Sequence, residues 1–199
     1  MSKKWISVIS ILALVMVSYA TELSVGSAAP AFSLKNVDGK TVSLADYSGS
    51  KAYVVIFSCN SCPFAQAYQD RITQLYNDYR SKGVAMVVIS ANDPGKRPDD
   101  SYANLQKRAT EKSYPFPYLF DETQQIAHAY GATNTPHAFI FDGDQKLVYR
   151  GRIDDNVYEE KVTKHEAREV LDQILSGNPV KLETATTKPI GCTIKWRES

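Results

Sequence analysis

Residues 53–64 read YVVIFSCNSCPF. Tyr53 to Phe57 is an unbroken run of β-forming apolar residues, suited to a strand buried on both faces. Cys59 and Cys62 follow three apart, and Pro63 comes next. Proline lacks an N–H and fits best at the first position of a helix. That puts Cys62 at the N-cap, with its sulfur among unpaired backbone N–H groups at the positive end of the helix dipole. A thiol there can fall from ~8.5 to anywhere between ~3.5 and ~7.5. Were Cys59 the N-cap, Pro63 would stand fourth in the helix and delete its first internal hydrogen bond. The spacing therefore predicts Cys62 as the nucleophile. Cys59, one loop turn upstream, is its candidate disulfide partner.

Downstream, Phe64, Tyr68, Ile72, Leu75 and Tyr79 recur at helical spacing, and Gly83 ends the pattern. Val84 to Ile89 reads as a second buried strand. Upstream, residues 31–34 and 41–44 alternate in polarity around an Asp38-Gly39 turn, a hairpin signal. Residues 91–100 read as loop, Ser101–Lys112 as helix and Tyr114–Tyr118 as extended chain. Asp121 is the expected cap of a short helix ending at Tyr130. His137–Asp142 and Lys146–Arg150 pair around a turn. Thr163 and Glu166 have capping-box spacing before a last helix with Val170, Leu171, Ile174 and Leu175 on its apolar face, stopped by Gly177. Strands alternating with helices predict an α/β layered fold with a mixed sheet.

The 199 residues favour one domain. A net charge of +1 gives no electrostatic case for nucleic acid. Lys3 and Lys4, the apolar run Ile6–Val17 and Ser18-Tyr19-Ala20 have the order of a cleaved export signal over residues 1–20. The domain then spans 21–199. The run is short against the ~20 apolar residues of a membrane span; an uncleaved anchor is the alternative. Export implies an oxidising compartment. There the three cysteines, Cys59, Cys62 and Cys192, allow one internal disulfide and leave one thiol over.

Competing readings exist for these residues. A Cys59/Cys62/His137 metal site, in its sharper form a copper-binding module, lacks a second paired ligand motif. His137 could tune the thiol or act as general base. His128 and His165 lie on predicted helices and are expected to face solvent. Asp154 and Asp155 read as a solvated charge pair. Cys192 has two readings: a second resolving thiol, if Gly191 lets the chain fold back over the site, or a small buried hydrophobe.

The stretches CNSCPF, YPFPYLFDETQQIAHAYGA, TPHAFIFD, YRGRIDD and GCTIKW, in this order from Leu23 to Arg197, resemble the thioredoxin-like superfamily. More narrowly they resemble the redoxin, or alkyl hydroperoxide reductase/thiol-specific antioxidant, family and a peroxiredoxin-like subgroup within it. The resemblance implies a thioredoxin-like fold with an N-terminal hairpin. It puts the nucleophile at Cys62, and it places the second cysteine of a thioredoxin at Ala65. Cys59 takes the place of the Thr or Ser of peroxiredoxins. Pro136 matches the cis-proline of thioredoxins, where the backbone before it pairs with extended substrate. It also stands where a peroxiredoxin carries arginine, so Arg150 and Arg152 are the candidate cations. The implied activity is thiol-disulfide exchange, with thiol-dependent peroxide reduction as the alternative. The substrates are protein or small-molecule disulfides, or hydroperoxides; an external thiol is the reductant. No cofactor is implied, and the oligomeric state is left open.

Overall fold

The computed structural model describes residues 22–181 and 185–198. The expected leader lies outside them. In chain order the strands and helices are β1 (Ser33–Asn36), β2 (Thr41–Ser43), β3 (Ala52–Ser58), α1 (Pro63–Ala67), α2 (Gln69–Tyr79), β4 (Val84–Ser90), α3 (Tyr102–Glu111), β5 (Tyr118–Phe120), α4 (Gln125–Tyr130), β6 (Asn134–Thr135), β7 (His137–Asp142), β8 (Leu147–Gly151), α5 (Glu166–Leu175) and β9 (Cys192–Thr193).

Seven strands form one sheet in the order β2-β1-β5-β4-β3-β7-β8. β3 runs parallel to β4 and antiparallel to β7, and β4 runs parallel to β5. The unbroken apolar runs of β3 and β4 are explained by burial on both faces. Val54, Ile56, Met86 and Val88 face α2 and α5; Val55, Phe57, Val87 and Ile89 face α4. This is the mixed, layered α/β architecture expected from the sequence. Among the described residues no helix is long and apolar enough to cross a membrane.

Four local expectations are corrected. The helix after Pro63 breaks at Tyr68, and its short first turn does not share the apolar stripe of α2. Phe64 is 38% exposed, while Ala65 is buried in its place. Asp121 is not the cap of α4; Gln124 is, at φ 63°, although Asp121 Oδ2 still accepts the Ala127 N–H at 2.8 Å. Thr163 and Glu166 form no capping box, because α5 begins at Glu166 itself. The Thr163 amide donates instead to Asp155 at 2.9 Å, and Glu166 pairs with Arg152. Asp154 is not solvated. It is 2% exposed, 2.7 Å from the Arg71 guanidinium, and accepts the Tyr68 hydroxyl at 2.8 Å. That buried pair fastens α2 to the chain after β8.

Candidate functional site

β3 delivers the chain to the site. Its buried residues fix Ser58, and the chain turns through Cys59–Cys62 into α1. A carboxylate that the sequence does not advertise holds this turn. Asp100, fully buried, accepts the amide N–H of Asn60 at 2.6 Å, the amide N–H of Ser61 at 3.1 Å, the Ser61 hydroxyl at 2.6 Å and the Asn92 side-chain amide at 2.8 Å. Every donor in that set is neutral. The Asn60 side chain donates to Asp99 O and Asn104 O, both at 3.0 Å, tying the same turn to the start of α3.

Cys62 is the N-cap of α1, in extended conformation (φ −89°, ψ 122°), with Pro63 in the first turn. Both motif cysteines are 3% exposed. As a thiol, Cys62 donates to Thr135 O at 3.2 Å, and Cys59 Sγ lies 3.2 Å from Thr135 Oγ1. The Thr135–Pro136 peptide bond is cis. Thr135 thus touches both sulfurs, one through its carbonyl and one through its hydroxyl.

The two motif thiols are driven apart in acidity. Cys62 is held well below the ordinary thiol value, first by a hydrogen bond from Cys59 and then by donors at Cys192 and the Ala65 amide, against the opposing effect of burial. Cys59 is pushed up, first by that same bond to Cys62, then by burial and the charge of Asp100. Both shifts run in the direction that favours the proton on Cys59 over Cys62. A thiolate at a helix N-terminus, supplied with donors, is the form that attacks.

The third thiol belongs to the same cluster. β9 pairs antiparallel with β6, setting Cys192 opposite Thr135 and Thr193 opposite Asn134. Cys192 packs against Cys59, Cys62 and Ala65. It is pushed up to about 11, by partial burial and by its bond to Cys62. Gly191 permits this approach: a Cβ there would lie 2.1 Å from Thr135 O. Of the two readings of Cys192, the structure has the fold-back geometry.

His137 is 1% exposed, opposite Phe57 in the sheet, and Nδ1 accepts the Thr133 N–H at 3.3 Å. Burial, reinforced by the Arg150 charge, pulls it down to about 3. It is neutral near pH 7, so it offers the thiols no positive charge and is a poor proton acceptor. Arg150 and Arg152 sit on and just after β8, paired with Glu22 and Glu166. Their partners are these carboxylates, not the cysteines. The cations that bear on the cluster are Lys195 and Arg97, which favour the thiolate of Cys192. Among the described residues no three His, Cys, Asp or Glu side chains are grouped to hold a metal ion.

A model of the AhpC/TSA family matches residues 25–150. The chain is 28% identical over 129 residues to the thiol-disulfide oxidoreductase ResA of Geobacillus thermodenitrificans, covering 64% of this chain and 68% of ResA. It is 28% identical over 160 residues to a Mycobacterium tuberculosis chain provisionally named a peroxiredoxin, covering 74% and 93%. A solved structure of an uncharacterized conserved protein from Geobacillus kaustophilus superposes with a TM-score of 0.82 at 46% identity, over 88% of this chain and 94% of that one.

Proposed function

Because the chain belongs to the AhpC/TSA family, we propose that it is a thiol oxidoreductase whose nucleophile is Cys62 and whose substrate is a disulfide. The observation that carries this reading is the geometry of the thiol cluster: Cys62 is the N-cap of α1, and Cys59 and Cys192 pack against it. The acidity of Cys62 is shifted downward in the same cluster, which favours its thiolate. The Cys62 thiolate attacks one sulfur of the substrate, forming a mixed disulfide, and the other sulfur leaves with the bonding electron pair. That leaving thiolate takes up a proton. A second protein thiol then gives up its proton, attacks Cys62 Sγ and expels the remaining substrate half as a thiol. Two electrons have passed to the substrate. One protein disulfide remains, and an external thiol reductant must reopen it.

The first step prepares the second. The leading cause of the high Cys59 value is its hydrogen bond to the Cys62 thiolate. Once Cys62 is a mixed disulfide, that charge is gone and the largest cause raising Cys59 is removed, leaving burial and the Asp100 charge. We assign Cys59 as the resolving thiol, with Cys192 as a second candidate because it packs against the same pair of sulfurs. Pro136 follows Thr135, whose carbonyl meets the Cys62 sulfur and whose hydroxyl meets the Cys59 sulfur.

Turnover of a chromogenic disulfide by Cys62→Ser, Cys59→Ser and Cys192→Ser tests the scheme. Cys62→Ser should be inactive, and Cys59→Ser should accumulate the mixed disulfide. Unchanged turnover by Cys62→Ser would end the proposal. A hydroperoxide is the alternative oxidant, favoured by the family; it would give Cys62 sulfenic acid before the same resolution. We also propose export, on the order of charge, apolar run and small residues in positions 3–20. N-terminal sequencing of the exported protein should then begin at or near Thr21.

A further inference from the structure

β6 is the short strand that ends in the cis bond to Pro136, and its last residue, Thr135, meets both motif sulfurs. A polypeptide disulfide reaches a thiol at such an edge by adding its own strand to the exposed backbone. Here the edge is already taken. β9 lies along it in antiparallel register, with a cysteine of the chain itself opposite Thr135.

The occupant is built in rather than laid on. Ile194 is 3% exposed and belongs to the core on the α4 side of the sheet. Its amide donates to Thr133 O at 2.9 Å. Asn134 Nδ2 donates to Gly191 O at 2.9 Å. The Lys195 amide donates to Asn92 Oδ1 at 2.8 Å, and Lys195 O accepts the Asp93 amide at 2.8 Å. Gln124 clasps the same segment, its Nε2 donating to Lys195 O at 2.9 Å and its Oε1 accepting the Arg197 amide at 2.7 Å. Trp196 stacks on His128 at 4.0 Å. Underneath, Cys62 keeps 3% of its surface exposed. A competing strand would have to displace the β9 pairing at Asn134 and Thr135, which the contacts of residues 194–197 hold in place.

We propose that the segment Gly191–Trp196 is a resident substitute for a substrate strand, and that it restricts Cys62 to small oxidants. The accepted class is low-molecular-weight disulfides and hydroperoxides, which reach a sulfur without adding a strand. Extended polypeptide disulfides are excluded. This inference rests on the proposed thiol chemistry of Cys62 and adds the substrate class.

The test compares second-order rate constants for oxidation of reduced full-length protein by cystine, by hydrogen peroxide and by a disulfide-linked extended peptide. Wild type should react with the peptide at least tenfold more slowly than with cystine. Two variants then open the edge by independent means. Gly191→Ala drives a Cβ into Thr135 O, where only a glycine fits. Ile194→Asp removes the buried anchor. In each, circular dichroism checks the fold, and loss of the Trp196–His128 stack, read from tryptophan emission, reports release. The ratio of peptide rate to cystine rate should rise at least tenfold in both. The inference is overturned if wild type reacts with the peptide as fast as with cystine, or if either released variant keeps the wild-type ratio. Failure of Cys62 to react with any of the three oxidants would instead overturn the thiol chemistry beneath it.

Discussion

Two stretches of chain bring a cysteine to Cys62, and they do it by different physics. The turn at residues 59–62 is local: Cys59 is three residues from its partner, and one buried carboxylate, Asp100, takes up the turn's donors. The segment at residues 191–197 is remote. It arrives 130 residues later and is held by a distributed set of backbone pairs, a buried isoleucine and a glutamine clasp. The first arrangement fixes acidity, since the Asp100 charge raises Cys59 and so helps leave the proton there. The second fixes access, since it covers the edge by which a strand would enter. Geometry near the sulfur decides how the thiol reacts; geometry farther away decides with what.

The largest effect is expected where both stretches converge. Cys62→Ser should lower disulfide turnover by ~10³-fold or more, since removing the proposed nucleophile from a coupled unit would remove most of its catalysis. Steady-state rates against a small disulfide would show it. A loss under tenfold would mean that another thiol initiates.

Next, the two clamps can be broken separately. Asp100→Asn turns one acceptor oxygen into an NH₂ facing buried donors, which should cost about 2–3 kcal/mol. At ~2–4 °C per kcal/mol for a chain of this size, the melting temperature should fall by ~4–12 °C. The same change removes the charge that raises Cys59, so Cys59 should alkylate at lower pH than in wild type. Gln124→Ala deletes hydrogen bonds to Ala91 O, Lys195 O and the Arg197 amide. It should lower stability by a smaller ~1–2 kcal/mol and raise the alkylation rate of Cys192 while leaving Cys59 unchanged. Exchanged phenotypes, with Asp100→Asn acting on Cys192 alone, would contradict the division of labour.

How legible each stretch was in sequence follows from the same contrast. Pro63 alone fixed the helix start, so Cys62 as N-cap could be read from one neighbour. The runs at 53–57 and 84–89 announced strands buried on both faces because nothing polar interrupted them. The cis bond at Thr135–Pro136 came through family resemblance, not through any local rule. Asp100 gave no signal, because its partners Asn60 and Ser61 lie about forty residues away and two of the four bonds go to backbone amides. Asp154 reads as solvated in sequence for the same reason: its partner Arg71 is 83 residues distant. Thr163 and Glu166 fit a capping spacing, yet Asp155 and Arg152 compete for them. Gly191 signals close approach in sequence, but only the fold shows that the approach is to Thr135 O.

The pH dependence of stability sharpens the comparison further. Cys62 ionises below its unfolded value of ~8.5. Its contribution is therefore present above pH ~8.5 and is lost as pH falls toward the folded value, where both states become protonated. Cys59 and Cys192 are raised and act in the opposite sense. Their contributions are present below pH ~8.5 and are lost as pH rises through their folded values. The melting temperature of the reduced protein should accordingly climb between about pH 5 and 8 and decline above about 9. Cys62→Ser should remove this thiol-dependent climb. A climb of undiminished size in that variant would assign it to other groups.

The smallest expected effect is none. Arg150→Gln and Arg152→Gln should leave the alkylation profile of Cys62 unchanged, because these arginines pair with Glu22 and Glu166. A shift of half a pH unit or more in the profile would return a cation to the site.

The most direct test of the central claim is site-resolved alkylation of the fully reduced protein from pH 4 to 11, with each cysteine quantified by mass spectrometry. Cys62 should reach its plateau rate by about pH 6, with Cys192 still rising toward pH 11 and Cys59 the last to react. If Cys59 instead reacts as the thiolate at lower pH than Cys62, the proton lies on the wrong sulfur and Cys62 is not the nucleophile.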